Sequence, residues 1–175
     1  MPFLSSPRLM TNTSLLLQKL LRTFSMQPSL LALNLLRGWV GKAREIGGNN
    51  RGYWVSFFTQ GRNGAWCAAL IYTAIETAYL VMAKPCPIKR THSARKLLKR
   101  LQGIGTSPPL LELLPGDVVC FPRGKPWQGH VAMVHETTDT PGVYRLIDGN
   151  VGKNAKVRIY TEDLRSREVV GAARW

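Results

Sequence analysis

The stretch Gly64-Ala65-Trp66-Cys67-Ala68-Ala69-Leu70 places a cysteine at the start of a long apolar segment, directly after a loop that contains glycine. The apolar segment covers residues 66–83 and predicts a buried helix. Glu76 in its middle argues against a membrane span, because a charge at the centre of a bilayer costs about 2.5–3.5 kcal/mol. The partial positive charge at a helix N-terminus favours a thiolate, so Cys67 is the candidate nucleophile.

Two later segments carry polar groups that could work with this cysteine. His130 stands at the predicted start of a strand and is the candidate general base. Asp148 and Asn150 stand two residues apart at the predicted end of another strand. If that strand continues, alternation places both side chains on one face, where either could orient the imidazole. The set predicts a thiol hydrolase, and the alternative is a packed core thiol, since free cysteine is among the most buried residue types.

The order of the predicted elements indicates an α+β fold. Leucine spacing predicts basic amphipathic helices within residues 11–44, in two segments separated at Pro28, with Ser29 as the cap of the second. Residues 51–60 predict a short helix, and Ser93 caps a further helix with separate apolar and basic faces.

The C-terminal third of the chain changes to short β-branched or alternating segments separated by turns, which predict strands. Helices first and strands after them predict N-terminal helices packed on a C-terminal antiparallel sheet, with the nucleophile at the start of the central helix. The predicted strands cover residues 117–121, 130–136, 143–148, 155–160 and 169–175.

The positive charge of the chain lies in two segments. The formal net charge is +14, and residues 1–44 hold six basic groups while residues 84–102 hold seven, with no acidic residue in either segment. The remainder, with 11 basic and 10 acidic residues, is nearly balanced. Such segments usually bind polyanions, and composition alone leaves nucleic acid, anionic lipid and an anionic cell wall open.

Cysteine and histidine spacing argues against a metal site. Cys67, Cys86 and Cys120 are an odd number of thiols at wide spacings, so at least one stays free and no zinc motif is formed. His130 and His135 are five residues apart, which on one strand points them to opposite faces. We therefore expect no metal and no cofactor.

Five stretches, taken in their order along the chain, carry a resemblance to a known family. They are residues 50–55, 64–69 (Gly-Ala-Trp-Cys-Ala-Ala), 115–121 (Pro-Gly-Asp-Val-Val-Cys-Phe), 129–131 (Gly-His-Val) and 148–150 (Asp-Gly-Asn). Together they resemble the CHAP family of cysteine, histidine-dependent amidohydrolases/peptidases, in particular its phage endolysin and bacterial wall-hydrolase branch. Ala65 departs from the family pattern, where a proline is common. The resemblance divides the chain into a basic amphipathic helical extension, 1–41, and a catalytic domain, 42–175.

The resemblance implies a papain-like fold and a hydrolase that cleaves an amide bond in peptidoglycan. That bond would be the N-acetylmuramoyl-L-alanine bond or one in the stem or cross-bridge peptides. Cys67 would be the nucleophile and His130 the general base. Asn150 falls on the family's orienting position, with Asp148 as a second polar partner.

Four further residues are candidates for substrate binding. Trp66 precedes the nucleophile, and Trp127, close in sequence to His130, could line the cleft. Gln60 or Tyr53 could donate a hydrogen bond to the oxyanion, alongside backbone N–H groups at the helix start.

No clear signal peptide is visible, because the apolar residues 29–36 are few and lack a small-residue cleavage pattern. We therefore expect an enzyme that is made in the bacterial cytoplasm and acts in the periplasm or cell wall, or is carried in a virion. Its two basic segments would face an anionic wall polymer, lipopolysaccharide or a membrane surface, and nucleic acid is not expected as a partner.

Two alternatives remain at this point. One is a papain-like thiol effector that acts on a protein substrate. The other is a non-enzymatic basic module that binds nucleic acid or a membrane, in which Cys67 is merely packed. Both enzyme hypotheses require the sulfur of Cys67 within reach of His130, and the binding module does not.

Overall fold

The computed structural model describes residues 27–62 and 64–175. Over these residues, helices come first and strands follow, so the predicted α+β class with an antiparallel sheet is confirmed. The elements are α1 (Pro28–Trp39), α2 (Tyr53–Thr59), α3 (Cys67–Val81), α4 (Ala94–Gln102), β1 (Val118–Pro122), β2 (Gly129–Thr137), β3 (Val143–Asp148), β4 (Arg158–Asp163) and β5 (Gly171–Ala173).

The strands form one five-stranded antiparallel sheet in the order β4-β3-β2-β1-β5. Strands β1 to β4 form a meander, and β5 returns to pair with β1. The prediction of a strand over residues 155–160 is wrong in its position. Ala155 and Val157 instead pair with the loop after α1, because Val157 N donates to Ala43 O (2.9 Å) and Glu45 N donates to Ala155 O (2.8 Å).

Side-chain alternation buries both faces of this sheet. On β1, Val118 and Cys120 pack against the helices, whereas Val119 and Phe121 pack on the opposite face with Leu113 and other residues of the loops. The two hydrophobic clusters hold the start of β2 and the end of β3 side by side beneath the helices.

Helix α3 is the centre of the helical layer. It contacts α1, α2, α4 and β2, and ten of its 15 residues are buried. Glu76, the charge within its apolar run, pairs with Arg90. Across residues 27–62 and 64–175, no helix is long and apolar enough to cross a membrane.

Helix α1 lies within the segment 1–41 that was expected to form an extension. Ala32, Leu33 and Leu36 are buried against the rest of the core, so this helix contributes to the main hydrophobic cluster. The predicted cap at Ser29 is wrong, because Pro28 is the first helical residue and Ser29 is buried inside the helix. The predicted helix before Pro28 lies outside the described residues, and the division of the chain after residue 41 stays a prediction.

Helix α4 has the predicted cap and faces. The Ser93 hydroxyl accepts a hydrogen bond from Lys96 N at 3.4 Å. Leu97, Leu98 and Leu101 are buried, which leaves the basic side chains of the helix toward solvent.

Candidate active site

Cys67 is the first residue of α3, and it lines an open cleft of about 500 Å³. Only 2% of the surface of Cys67 is exposed to solvent. The backbone N–H groups of Ala68 and Val131 both interact with its sulfur. Burial raises the pKa of Cys67, but interaction with His130 and with these two N–H groups lowers it, and the net pKa is lowered.

His130 is the second residue of β2 and is buried. Its Nε2 lies 2.9 Å from Oδ2 of Asp148, while Nδ1 is buried and has no hydrogen-bond partner among the described residues. A proton on Nε2, shared with the carboxylate, leaves Nδ1 as the free base of the neutral ring. Burial lowers the pKa of His130, but the interactions with Asp148 and Cys67 raise it, and the net pKa is about 9.

Asp148 is the last residue of β3 and is fully buried. Arg158 stands opposite it on β4 and donates from Nε to Oδ1 at 2.9 Å and from Nη2 to Oδ2 at 3.4 Å. Burial raises the pKa of Asp148, but His130 and Arg158 lower it, and the net pKa is lowered. The carboxylate is therefore charged and sits between two cationic partners.

The opposite pKa shifts of Cys67 and His130 favour transfer of the thiol proton to the imidazole. A lowered thiol pKa beside a raised imidazole pKa is the arrangement that favours a thiolate and imidazolium pair. Cys120 lies in a different environment, because it is fully buried in the core and burial raises its pKa to about 11. All three cysteines are free thiols, and only Cys67 has the surroundings of a nucleophile.

Neither imidazole nitrogen of His130 forms a hydrogen bond with Asn150, because Nε2 contacts Asp148 and Nδ1 has no partner among the described residues, so the orienting contact predicted for Asn150 is made by Asp148 instead. Strand β3 ends at Asp148, and Asn150 has a φ of +67°, which breaks the alternation that would have placed both residues on one face. The backbone oxygen of Asn150 accepts a hydrogen bond from Arg123 at 3.2 Å, and the residue lines the cleft. Asp148 holds His130 instead.

Trp66 cannot contact a substrate, because its side chain is completely buried. Its Nε1 donates to Glu45 at 3.0 Å, and its ring stacks on Phe58 with a centroid distance of 5.7 Å. A Cβ added at Gly149 would lie 2.4 Å from the Trp66 ring, so this turn passes directly over the indole. The prediction of substrate binding by Trp66 is wrong, and the ring instead supports the wall of the cleft.

The remaining candidates are divided between three places. Trp127 is 66% exposed and lines the cleft of Cys67. Tyr53 is 71% exposed, stacks on Phe57 and is not among the residues that line this cleft. Gln60 follows the last residue of α2 as its C-cap and lines a second cavity. Neither residue is among those that line the cleft of Cys67, and their role as oxyanion donors stays a prediction.

The start of α3 offers other donors. The first helical bond is donated by Leu70 N to Trp66 O at 2.8 Å, which leaves the N–H groups of residues 67–69 without a carbonyl acceptor inside the helix. Such N–H groups next to a nucleophile can stabilise an oxyanion. The backbone N–H groups at the start of α3 therefore stay the predicted oxyanion donors.

Asn50 is a site residue that the sequence analysis missed. It lines the cleft, has a φ of +55°, and donates its backbone N–H to Glu45 at 2.9 Å. Its Oδ1 is buried and has no partner within residues 27–62 and 64–175. The signal was the sequence Gly-Gly-Asn-Asn at residues 47–50, because asparagine tolerates a positive φ. Nothing in that pattern indicates that the residue lines a cleft.

The cleft wall presents polar and apolar surface in similar amounts and, in the part of the chain that the structure describes, contains no acidic side chain. Over the same residues, no group of three or more His, Cys, Asp or Glu side chains is arranged to hold a metal ion. The cleft is lined by Asn49, Asn50, Ala65, Cys67, His92, Ser93, Ala94, Arg123, Trp127, Gln128, Gly129, Asn150 and Gly152.

Comparison with known proteins gives no match. No protein-family model, no curated protein and no solved structure is significantly similar to the chain. Any assignment of function therefore depends on the chemistry of this cleft and on the motifs described above.

Proposed function

We propose that the chain is a papain-like cysteine amidohydrolase of the CHAP type that cleaves an amide bond in peptidoglycan. The observation that supports this best is the buried contact from Asp148 to His130, with Cys67 beside the imidazole at the start of α3. A packed structural thiol needs neither a lowered pKa nor an opening to a cleft. The motifs around these residues supply the substrate class.

In the first half of the proposed reaction, the thiolate of Cys67 attacks the carbonyl carbon of the amide. The carbonyl π electrons move to oxygen, and the N–H groups at the start of α3 stabilise the resulting oxyanion. His130 then donates its Nδ1 proton to the leaving nitrogen, and the carbon–nitrogen bond breaks. An amine leaves, and a thioester to Cys67 remains.

In the second half, neutral His130 accepts a proton from a water molecule, whose oxygen attacks the thioester carbon. The carbon–sulfur bond breaks as the tetrahedral intermediate collapses, which releases a carboxylic acid and restores the thiolate and imidazolium. Asp148 keeps its charge throughout and stabilises the imidazolium at each step where it forms.

The cleft suits a polar, extended substrate. Asn50 presents a buried oxygen without a partner among the described residues, which can accept a hydrogen bond from a substrate N–H. Trp127 is exposed and can pack against a sugar ring or an apolar side chain. An enzyme of this kind would serve as a phage endolysin, a virion-associated lysin or a bacterial wall hydrolase, acting in the periplasm or cell wall.

The test is digestion of purified peptidoglycan sacculi, with mass analysis of the released fragments. An N-acetylmuramoyl-L-alanine amidase frees stem peptides that begin with alanine, whereas an endopeptidase shortens or separates the stem peptides. Cys67→Ala should abolish release, and Cys86→Ala, a half-buried thiol outside the cleft, should leave it unchanged. Intact sacculi after incubation with the wild-type protein, or equal digestion by Cys67→Ala, would contradict the proposal.

A further inference from the structure

A second cavity, of about 480 Å³, adjoins the cleft of Cys67. His92 lines both, so the two cavities meet at this residue. The second cavity is lined by four cationic side chains, and no acidic side chain of the described residues lines it. These cations are Arg62, Arg90, Lys96 and Arg100.

Two of the four guanidinium or ammonium groups are fixed in place by the protein. Arg90 pairs with Glu76 and donates to a backbone oxygen of α2 at 2.8 Å. Arg100 donates from Nη1 to the backbone oxygens of residues 89 and 90 at 2.7 and 2.9 Å. The other nitrogens of Arg100 bond to no described residue, so this guanidinium is held in position with donors to spare.

The positive charge of the cavity is not balanced within the part of the chain that the structure describes. Glu76 neutralises Arg90, but no acidic side chain among the described residues pairs with Arg62, Lys96 or Arg100. The pKa of His92 is lowered, first by burial and to a smaller extent by the positive charges of Arg62 and Arg90. Arg100 is thus both fixed and unbalanced, and the exposed Arg62 and Lys96 line the same cavity. Cations gathered in a concave site are the usual way in which proteins bind a carboxylate or a phosphate.

We propose that this cavity binds an anionic group of the substrate, a carboxylate or a phosphate, while the amide bond to be cleaved lies against Cys67. The proposal rests on the proposed function and adds a requirement to it, namely a negative charge at a fixed distance from the scissile bond. It also gives the acid-free segment 84–102 a defined role, since three of the four cations come from that segment.

The first test measures anion binding without any turnover. Inorganic phosphate and acetate are titrated into the full-length wild-type protein while the ring resonances of His92 are followed by NMR. We expect a saturable shift and a rise in the pKa of His92, because a bound anion offsets the neighbouring charges. The absence of a saturable shift with either anion would overturn the proposal.

A pair of matched double variants tests the place of binding. Arg62→Gln/Lys96→Gln removes two charges from the cavity, and Lys84→Gln/Lys99→Gln removes two exposed charges outside it. Arg62→Gln/Lys96→Gln should weaken binding of phosphate or acetate, whichever gave a saturable shift, by about 5- to 20-fold. Lys84→Gln/Lys99→Gln should leave that binding unchanged. Equal weakening by both would show a general charge effect and would overturn the proposal.

The second test uses the reaction itself and separates the two sources of the anion. Muropeptides with free carboxylates are compared with their amidated forms, and sacculi with intact phosphate polymers are compared with stripped ones. A KM that rises on amidation identifies a carboxylate, and one that rises on stripping identifies a phosphate. In each case the rise should be lost in Arg62→Gln/Lys96→Gln.

The two proposals fail in different ways. If phosphate or acetate binds as expected but no peptidoglycan is cleaved, the proposed function is wrong and the anion site stands. If both double variants cleave peptidoglycan with the KM of the wild-type protein, the enzyme assignment stands and the anion site is wrong.

Discussion

Asp148 determines how His130 is held. Its fully buried carboxylate contacts Nε2 of the imidazole and is in turn fixed by Arg158. A charged carboxylate at this nitrogen favours the imidazolium, which is why the pKa of His130 rises to about 9 although burial opposes the rise. It also sets the ring orientation that leaves Nδ1 for the thiol of Cys67.

Replacement of Asp148 and of Asn150 should therefore have different effects. Asp148→Asn should lower kcat/KM by about 100- to 10,000-fold, because the imidazolium loses its charged partner. Asn150→Ala should lower it by less than about 10-fold, since this residue lines the cleft but forms no hydrogen bond with the imidazole nitrogens.

The pH profile gives a second readout for the same two variants. Activity requires the proton on His130, so the alkaline limb of the wild-type profile should fall through about pH 9. A neutral amide at position 148 stabilises the imidazolium less, which lowers the pKa and moves this limb to lower pH. Asn150→Ala should keep the limb in place. An unmoved limb in Asp148→Asn, or a shifted one in Asn150→Ala, would reverse the roles of these two residues.

At the residue scale, local signals were enough to single out Cys67 and His130. A cysteine at a helix start and a histidine at a strand start are visible in the neighbouring sequence. The choice between Asp148 and Asn150 depended on where β3 ends, and the turn at Gly149 is fixed by the distant ring of Trp66. Sequence adjacency likewise could not tell that Trp66 faces the core.

Among the elements, Glu45 connects three segments that form the walls of the cleft. Its Oε1 accepts hydrogen bonds from Trp66 Nε1 at 3.0 Å and from Asn50 N at 2.9 Å, and its Oε2 accepts one from Ala155 N at 3.2 Å. The loop before α2, the start of α3 and the loop before β4 thus share one buried carboxylate. No periodicity in the sequence marks such a residue, because its partners are 5, 21 and 110 residues away.

Glu45→Gln should lower the free energy of unfolding by about 1–3 kcal/mol, measured by urea denaturation. Glutamine has a single acceptor oxygen, and its NH2 group would face at least one N–H donor. The control is Glu168→Gln, an exposed carboxylate, which should change stability by less than about 0.5 kcal/mol. Equal stability of the two variants would show that Glu45 does not hold these segments together.

The elements themselves were predictable where their signals are local. The Ser93 cap and the apolar face of α4 depend on residues in or next to the helix, and β3 has the boundaries that its alternation predicts. The fourth strand was displaced because residues 155–157 pair with the loop after α1, a contact over more than 100 residues. The pairing of β5 with β1 is equally non-local.

For the molecule as a whole, the net charge of +14 predicts attraction to anionic surfaces. If residues 1–44 and 84–102 concentrate the enzyme on a cell wall, added salt should weaken its binding to whole cells, because exposed charges are screened beyond about 8–10 Å at physiological ionic strength. Cleavage of a small uncharged peptide amide should barely change over the same range. Equal salt sensitivity of the two measurements would argue against a targeting role for these segments.

The pairing of Cys67 and His130 as a thiolate and an imidazolium underlies the whole mechanism, and the most direct test is the alkylation rate of each cysteine by iodoacetamide as a function of pH. Mass spectrometry of the folded protein resolves the three sites. We predict that Cys67 reacts fastest at neutral pH, with a midpoint below the ordinary thiol pKa of about 8.5. Cys120 should react slowly, because burial raises its pKa to about 11. Equal rates at all three cysteines, or a Cys67 midpoint at or above about 8.5, would contradict this pairing.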